Sequence, residues 1–244
     1  KAVIPKYGFP VDVVELDTQR TQHNQEASEV RLQRDLSIAI SEFAPTSKLV
    51  ANKRVWTSHG LKKVAEKEWP RKSYKRCSHH GMFVQCTPGE TEPLKVCCDR
   101  MINGTYLVPQ FGFITSREEP EEPKSRPLKV FTTRPYFAGS LGGEPEEITL
   151  PLNSRMITIT KASPGSMVVL CEGRCGEGFY VCGACGAGFR KPVRAHKTPY
   201  DQDCRGTLAQ VSLGHEFVTD VLQLRFHPMP EPGAPATASF SDTV

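Results

Sequence analysis

The clearest alternation of apolar and polar positions lies late in the chain, in Phe217-Val218-Thr219-Asp220-Val221-Leu222-Gln223-Leu224-Arg225-Phe226. Strand side chains point alternately to two faces, so Val218, Leu222, Leu224 and Phe226 share one face and Asp220 falls among them. A carboxylate there needs backbone amides or an arginine wherever that face is buried. Shorter strands are predicted over 128–133, 155–160, 166–171 and 178–182. Residues 1–16 read as extended chain broken by Pro5 and Pro10, and residues 48–57 as a hairpin turning at Asn52. A different period runs over 26–43, where Leu32, Leu36, Ala39, Ile40 and Phe43 recur at helical spacing with Arg31, Gln33 and Arg34 off that face. That spacing predicts an amphipathic helix. Strands outnumber helices, so the predicted fold class is α+β, strand-rich, with loops held by structural zinc knuckles.

Composition sharpens this picture in two places. Twenty prolines and nineteen glycines favour turns and loops over long helices. The acidic, proline-rich run Arg117-Glu118-Glu119-Pro120-Glu121-Glu122-Pro123 marks the best internal boundary. The predicted organisation is an N-terminal part over 1–116, a loop over 117–127, a strand-rich part over 128–228 and a linker-like tail over 229–244. The opening Lys1-Ala2-Val3-Ile4-Pro5 reads as mid-domain, so a piece of a longer protein is expected. No apolar run approaches the roughly 18 residues of a membrane span, and the sequence shows no signal-peptide pattern, so a cytoplasmic place without a membrane partner is expected. Asn103-Gly104 between strands reads as a tight hairpin turn rather than a glycosylation site.

Nine cysteines, an odd number with close pairs and adjacent Cys97 and Cys98, favour reduced metal ligands over a disulfide framework. Cys182-Gly183-Ala184-Cys185 followed by His196 and Cys204 supplies four soft or borderline ligands, the set that suits a closed zinc site. Gly183 and Gly186 let the backbone turn around the ion. Cys171 or Cys175 could replace His196, or the cysteines could simply be buried thiols. A first cluster of Cys77, His80, Cys97 and Cys98, with His79 and Cys86 nearby, is either a second metal site or a knuckle whose cysteines only pack. Neither group carries catalytic marks. His215-Glu216 is half of a metalloprotease motif, but position 219 is Thr; Val181 rather than Pro precedes Cys182, and no H-x-E accompanies it as a deaminase needs. No phosphate loop is present either.

The net charge of +4 decides little, but its distribution is uneven. Between 53 and 76, Lys53, Arg54, Lys62, Lys63, Lys67, Arg71, Lys72, Lys75 and Arg76 oppose only Glu66 and Glu68, with Trp56, Trp69 and Tyr74 interleaved. Lys62, Lys63, Arg71 and Lys72 suit phosphates, and Trp69 and Tyr74 suit stacking on unpaired bases. The competing reading is a solvated face beside core aromatics. Arg134 with Tyr136 repeats the idea on a smaller scale.

Several segments together resemble a known family. Ile4-Pro5-Lys6-Tyr7-Gly8-Phe9-Pro10, Arg34-Asp35-Leu36-Ser37-Ile38-Ala39-Ile40, Val108-Pro109-Gln110-Phe111-Gly112-Phe113 and Leu213-Gly214-His215-Glu216-Phe217-Val218-Thr219-Asp220-Val221-Leu222 carry the likeness. Over roughly residues 1–226 the chain resembles the helicase-associated zinc-binding domain of mitomycin repair factor A type superfamily 2 (DEAD/DEAH-box) helicases, also seen in a DISARM phage-defence subunit. The resemblance implies zinc at Cys182, Cys185 and Cys204 with His196 as fourth ligand. It also implies a first pair of knuckles, from which Ser78-His79-His80 and Cys97-Cys98-Asp99-Arg100 depart. The implied role is a non-catalytic accessory domain in DNA repair or phage defence. It would contact single-stranded or forked DNA, or position an ATP-dependent helicase motor in cis or in a partner subunit. The alternative is a protein-interaction module of a phage-defence complex without direct DNA contact.

Overall fold

In a computed structural model of the chain, the described residues are 12–18, 31–79, 81–86, 100–125, 127–152 and 155–228. Residues 1–11, 26–30 and the tail 229–244 lie outside them, as do His80, Cys97 and Cys98. The first elements are β1 (Val13–Asp17), β2 (Leu32–Asp35), α1 (Leu36–Glu42), β3 (Lys48–Ala51), β4 (Arg54–Leu61), β5 (Arg71–Cys77), β6 (Phe83–Cys86), β7 (Met101–Leu107) and β8 (Phe113–Thr115). There follow β9 (Arg134–Ser140), β10 (Glu146–Leu152), β11 (Arg155–Cys171), β12 (Phe179–Cys182), β13 (Gly188–Phe189), β14 (His196–Lys197), β15 (Asp203–Cys204) and β16 (Leu208–Pro228). The protein is strand-rich, as its alternation predicts. Two compact units form from interleaved segments: Lys1–Arg71, Thr105–Arg134 and Val169–His215 make one, and Lys72–Gly104, Pro135–Val168 and Glu216–Val244 the other.

In the first unit a five-stranded sheet runs in the order β2-β1-β8-β4-β3. β3 and β4 form the hairpin expected around Asn52, whose φ of 46° and Lys53's of 57° give the left-handed pair that a two-residue hairpin turn requires. The helix is shorter than the 26–43 periodicity suggests. Leu32 fits both a helical and an alternating pattern, and antiparallel pairing of Leu32–Asp35 with β1 claims it for a strand. Asp35 then caps α1, its carboxylate accepting from the Ser37 amide at 2.9 Å. Leu36, Ala39 and Ile40 turn inward, and Pro45 follows shortly after as a stop. The core gathers Leu16, Phe43, Trp56, Leu61, Phe113, Phe131, Phe179 and Leu213. Phe131 meets Phe179 edge-on at 5.0 Å, and Phe43 meets Phe113 at 5.9 Å. The acidic run near 117–125 is irregular apart from one bridge, where Val55 donates to the Glu121 carbonyl at 2.7 Å.

The second unit is built on long strands. Residues 155–160 and 166–171, which read as two strands, belong to the single 17-residue β11, because Ala162 and Gly165 stay buried and carry the pattern across. The predicted strand at 128–133 is absent; strand begins at Arg134. Asn103-Gly104 is not a turn but the interior of β7. Gly104 is required there because the Tyr74 ring lies against it and a Cβ would collide. Tyr74, Phe83 and Tyr136 form a stack, with centroids 5.5 and 5.0 Å apart.

β10 ends its sheet and pairs antiparallel with β11, placing Ile148 opposite Ile159 and Leu150 opposite Ile157. Partners in register share a face. Ser163, of the same parity as Ile157 and Ile159, donates to Asp220 on β16. Val218, Leu222, Leu224 and Phe226, of Asp220's parity, therefore lie on this same face. It is open: Leu222 is 64% exposed, Val218 59% and Ile148 57%. Asp220 accordingly needs no buried amide or arginine. The opposite face is lined by Thr149, Thr158 and His227, linked by contacts of 3.1 Å.

Candidate metal centre

The metal group lies wholly in the first unit and is made by two short hairpins. β12 and β13 pair Tyr180 with Phe189 and Val181 with Gly188, leaving Cys182–Ala187 as the connecting knuckle. Cys182 donates its amide to the Ala187 carbonyl, and its own carbonyl accepts from Gly186, both at 2.9 Å. The knuckle is tied to β4, since the Leu61 amide donates to Gly186 at 2.9 Å. Gly186 has φ +82°, and a Cβ on it would run into the Leu61 carbonyl oxygen. No other residue type fits both demands.

The second hairpin has strands of two residues each. β14 and β15 place His196 directly opposite Cys204 and Lys197 opposite Asp203. Two ligands eight residues apart thus become cross-strand neighbours. The loop is closed by the Thr198 amide donating to Gln202 at 2.7 Å, while Thr198 Oγ1 accepts from the Tyr200 and Gln202 amides. Lys197 pairs with Asp201 at 2.8 Å. The His196 ring packs edge-on against Phe189 at 5.7 Å, and His59 reaches the Lys197 carbonyl at 3.4 Å. Burial lowers the His59 pKa, favouring the neutral ring that donates through Nε2.

The four ligand atoms, Sγ of Cys182, Cys185 and Cys204 and a ring nitrogen of His196, lie within 4.8 Å of one another. Cys182 and Cys204 sulfurs are 3.8 Å apart, and Cys185 Sγ is 3.5 Å from His196 Nε2. A zinc ion with sulfur at about 2.3 Å and nitrogen at about 2.0 Å has tetrahedral edges of about 3.8 Å between sulfurs and about 3.5 Å between sulfur and nitrogen. The separations match those edges and are nearly twice the roughly 2 Å of a disulfide. His196 rather than Cys171 or Cys175 joins the three thiols. Cys171 is a member of the hydrophobic core, and Cys175 is exposed.

The electrostatics agree with a cation site. Burial, then the neighbouring thiols, push the Cys185 thiol up to about 12, although the Ala187 amide donates to it. The Gly206 amide, donating to Cys204 Sγ at 3.3 Å, pulls that thiol down. A divalent cation held there would make thiolates the stable form. Gly206 is confined as well, because a Cβ there would press on the Cys182 and Cys204 sulfurs.

The other sequence candidates end elsewhere. Cys77 is buried in β5 and donates its amide to Met82 at 2.8 Å, and Cys86 ends β6; their proposed companions lie outside the described residues. Trp69 and Tyr74 are 5% and 3% exposed, so their rings serve as core. Lys62 pairs with Asp17 at 2.7 Å, Lys63 with Glu68 at 2.7 Å while lying over Trp69, and Lys72 with Glu216 at 2.6 Å. Arg71 is exposed. Sequence reasoning missed the exposed cations of 190–205, whose signal was five basic residues against Asp201 and Asp203.

Comparison with known proteins finds Druantia protein DruE of Escherichia coli (strain UMEA 4076-1), 24% identical over 256 aligned positions. The match covers 91% of this chain but 14% of that protein, so the chain spans about one seventh of its relative's length. No family model matches the sequence, and no solved structure matches it.

Proposed function

We propose that this chain is a zinc-stabilised accessory domain of a DNA helicase system for phage defence, contacting DNA or positioning an ATP-driven motor rather than catalysing. The carrying observation is that the ligand atoms of Cys182, Cys185, His196 and Cys204 lie within 4.8 Å of one another. A zinc ion held by all four would keep no position for water or substrate, the arrangement of a structural site. Among the described residues no other group of three His, Cys, Asp or Glu side chains converges. The likeness to Druantia protein DruE along most of the chain supports the defence setting, and the resemblance of the sequence to helicase-associated zinc-binding domains supports the rest. No described helix is long and apolar enough to cross a membrane.

The zinc is tested by elemental analysis: one equivalent per chain, lost in Cys182→Ser and Cys204→Ser. Unchanged content in both variants would overturn the assignment. The DNA contact is tested by affinity for single-stranded or forked DNA that falls steeply with salt. A contact through Lys62, Lys63 and Lys72 must exchange their ion pairs for phosphates; joint neutralisation with Arg71 measures their share.

A protein-interaction role is the second reading. It is favoured by the open apolar face of Ile148, Leu150, Val218, Leu222 and Leu224, since exposed patches of this kind commonly mark docking surfaces. It predicts partner co-purification that survives salt and fails in Leu222→Glu.

A further inference from the structure

The segment from Arg190 to Arg205 holds five basic residues and two acidic ones, and all seven are exposed. Two of the cations are engaged. Arg190 donates to Thr46 Oγ1 at 2.7 Å and lies over the Phe131 ring, and Lys197 pairs with Asp201. Lys191, Arg194 and Arg205 form no ion pair among the described residues, which leaves Asp203 as the one opposing carboxylate. Arg194 is two residues from His196, and Arg205 adjoins Cys204. Each therefore sits within about 7 Å of chain of a metal ligand. Lys191 and Arg194 precede β14 and Arg205 follows β15, so the three flank the paired residues on irregular backbone.

The same hairpin carries an exposed aromatic ring. Tyr200 is 54% exposed, while its carbonyl accepts from Arg117 at 3.2 Å and its amide donates to Thr198. The backbone is held and the ring is presented. Cations beside a fixed, solvent-facing aromatic are the two parts of a single-strand binding surface: charge for the phosphates and a platform for a base. The stretch 53–76 lacks the platform, since Trp69 and Tyr74 are buried, and three of its lysines are already paired.

We infer that the metal-anchored hairpin is the DNA-contacting surface, with Lys191, Arg194 and Arg205 meeting the backbone of a single strand and Tyr200 stacking on a base. This rests on the DNA-contact reading above and moves the contact to residues that reading does not use. The metal then acts as the clasp that presents the surface.

The test is fluorescence-anisotropy titration of the 244-residue chain with labelled oligo-dT across a salt series. Three proteins are compared: the parent, the triple variant Lys191→Gln, Arg194→Gln, Arg205→Gln, and the quadruple variant Lys62→Gln, Lys63→Gln, Arg71→Gln, Lys72→Gln. Zinc content is measured in each to show that the hairpin remains folded. The triple variant is expected to bind at least about tenfold more weakly at low salt, with the log–log salt slope reduced by about 2, since each single-strand phosphate contact contributes roughly 0.7. Tyr200→Ala is expected to weaken binding about fivefold or more with an unchanged slope. If the quadruple variant loses binding and the triple variant keeps it, the hairpin assignment is wrong while the DNA-contact reading stands. If the parent does not bind, both fail. Equal loss with a duplex or with an unstructured acidic peptide would show a general polyanion surface and overturn the single-strand assignment.

Discussion

In the first unit, β4 and β8 turn Trp56, Leu61, Phe113 and Ile114 inward, none more than 4% exposed. In the second, β10 and β16 alternate as cleanly, yet Ile148, Leu150, Leu222 and Leu224 stand half or more in solvent or nearly so. β8 is buried at all three of its positions, whereas β10 is exposed at all seven. Alternation fixes which residues share a face, but covering that face takes a second layer. The first unit has one, from α1 and the aromatic cluster of Phe43, Phe131 and Phe179. It also has the Cys182, Cys185, His196 and Cys204 group, which could hold a metal ion where residues 182–206 are too short and glycine-rich to bury much.

The contrast can be broken by experiment. Removing the metal should have the largest effect, because structural zinc contributes apparent binding energies of about 10–16 kcal/mol in small domains. Chelation should abolish amide-exchange protection over 179–215 and leave that of 146–163 largely intact. Equal loss in both would mean that the units do not behave as separate cooperative blocks. Next, Phe43→Ala should cost about 3–5 kcal/mol in urea unfolding, whereas Leu222→Thr should lie within about 0.5 kcal/mol of the parent. A large cost at Leu222 would show that its face is covered in solution.

A smaller effect separates the units by pH. Burial pushes the Cys171 thiol from 9.0 up to about 11, so the folded state holds that proton more tightly than the unfolded chain. Its contribution is complete below pH 9 and is lost as pH rises toward 11, by about 2–3 kcal/mol on the scale of 1.36 kcal/mol per unit. Cys171→Val should flatten that alkaline fall. A smaller change again is expected for Lys62→Met, under about 1 kcal/mol for a half-exposed pair. The hydrogen bond that Lys62 donates to Asp17 raises the Lys62 pKa, so this contribution too is present at neutral pH and lost only in strong alkali.

What the sequence shows clearly is local. The grouping of Cys182, Cys185, His196 and Cys204 was legible because each pair lies within eight residues, and the strands because alternation needs no distant partner. Charge partners were not legible. Lys72 and Glu216 are 144 residues apart, so the run over 53–76 looks uncompensated until the chain folds. Aromatic rings misled for the same reason: nothing near Tyr74 announces that Phe83 and Tyr136 will stack with it. Gly104 deceived in the opposite sense, since a ring from another strand, not a turn, demands it.

The end strand β10 carries one further consequence. Its free edge lies beside an uncovered apolar surface, the combination that seeds fibrillar growth. Pro151 withholds a backbone donor, and Glu146 and Glu147 bring like charges to an incoming copy. The strand thus carries gatekeeper residues that oppose recruitment of further copies into an amyloid ladder while its apolar face stays open.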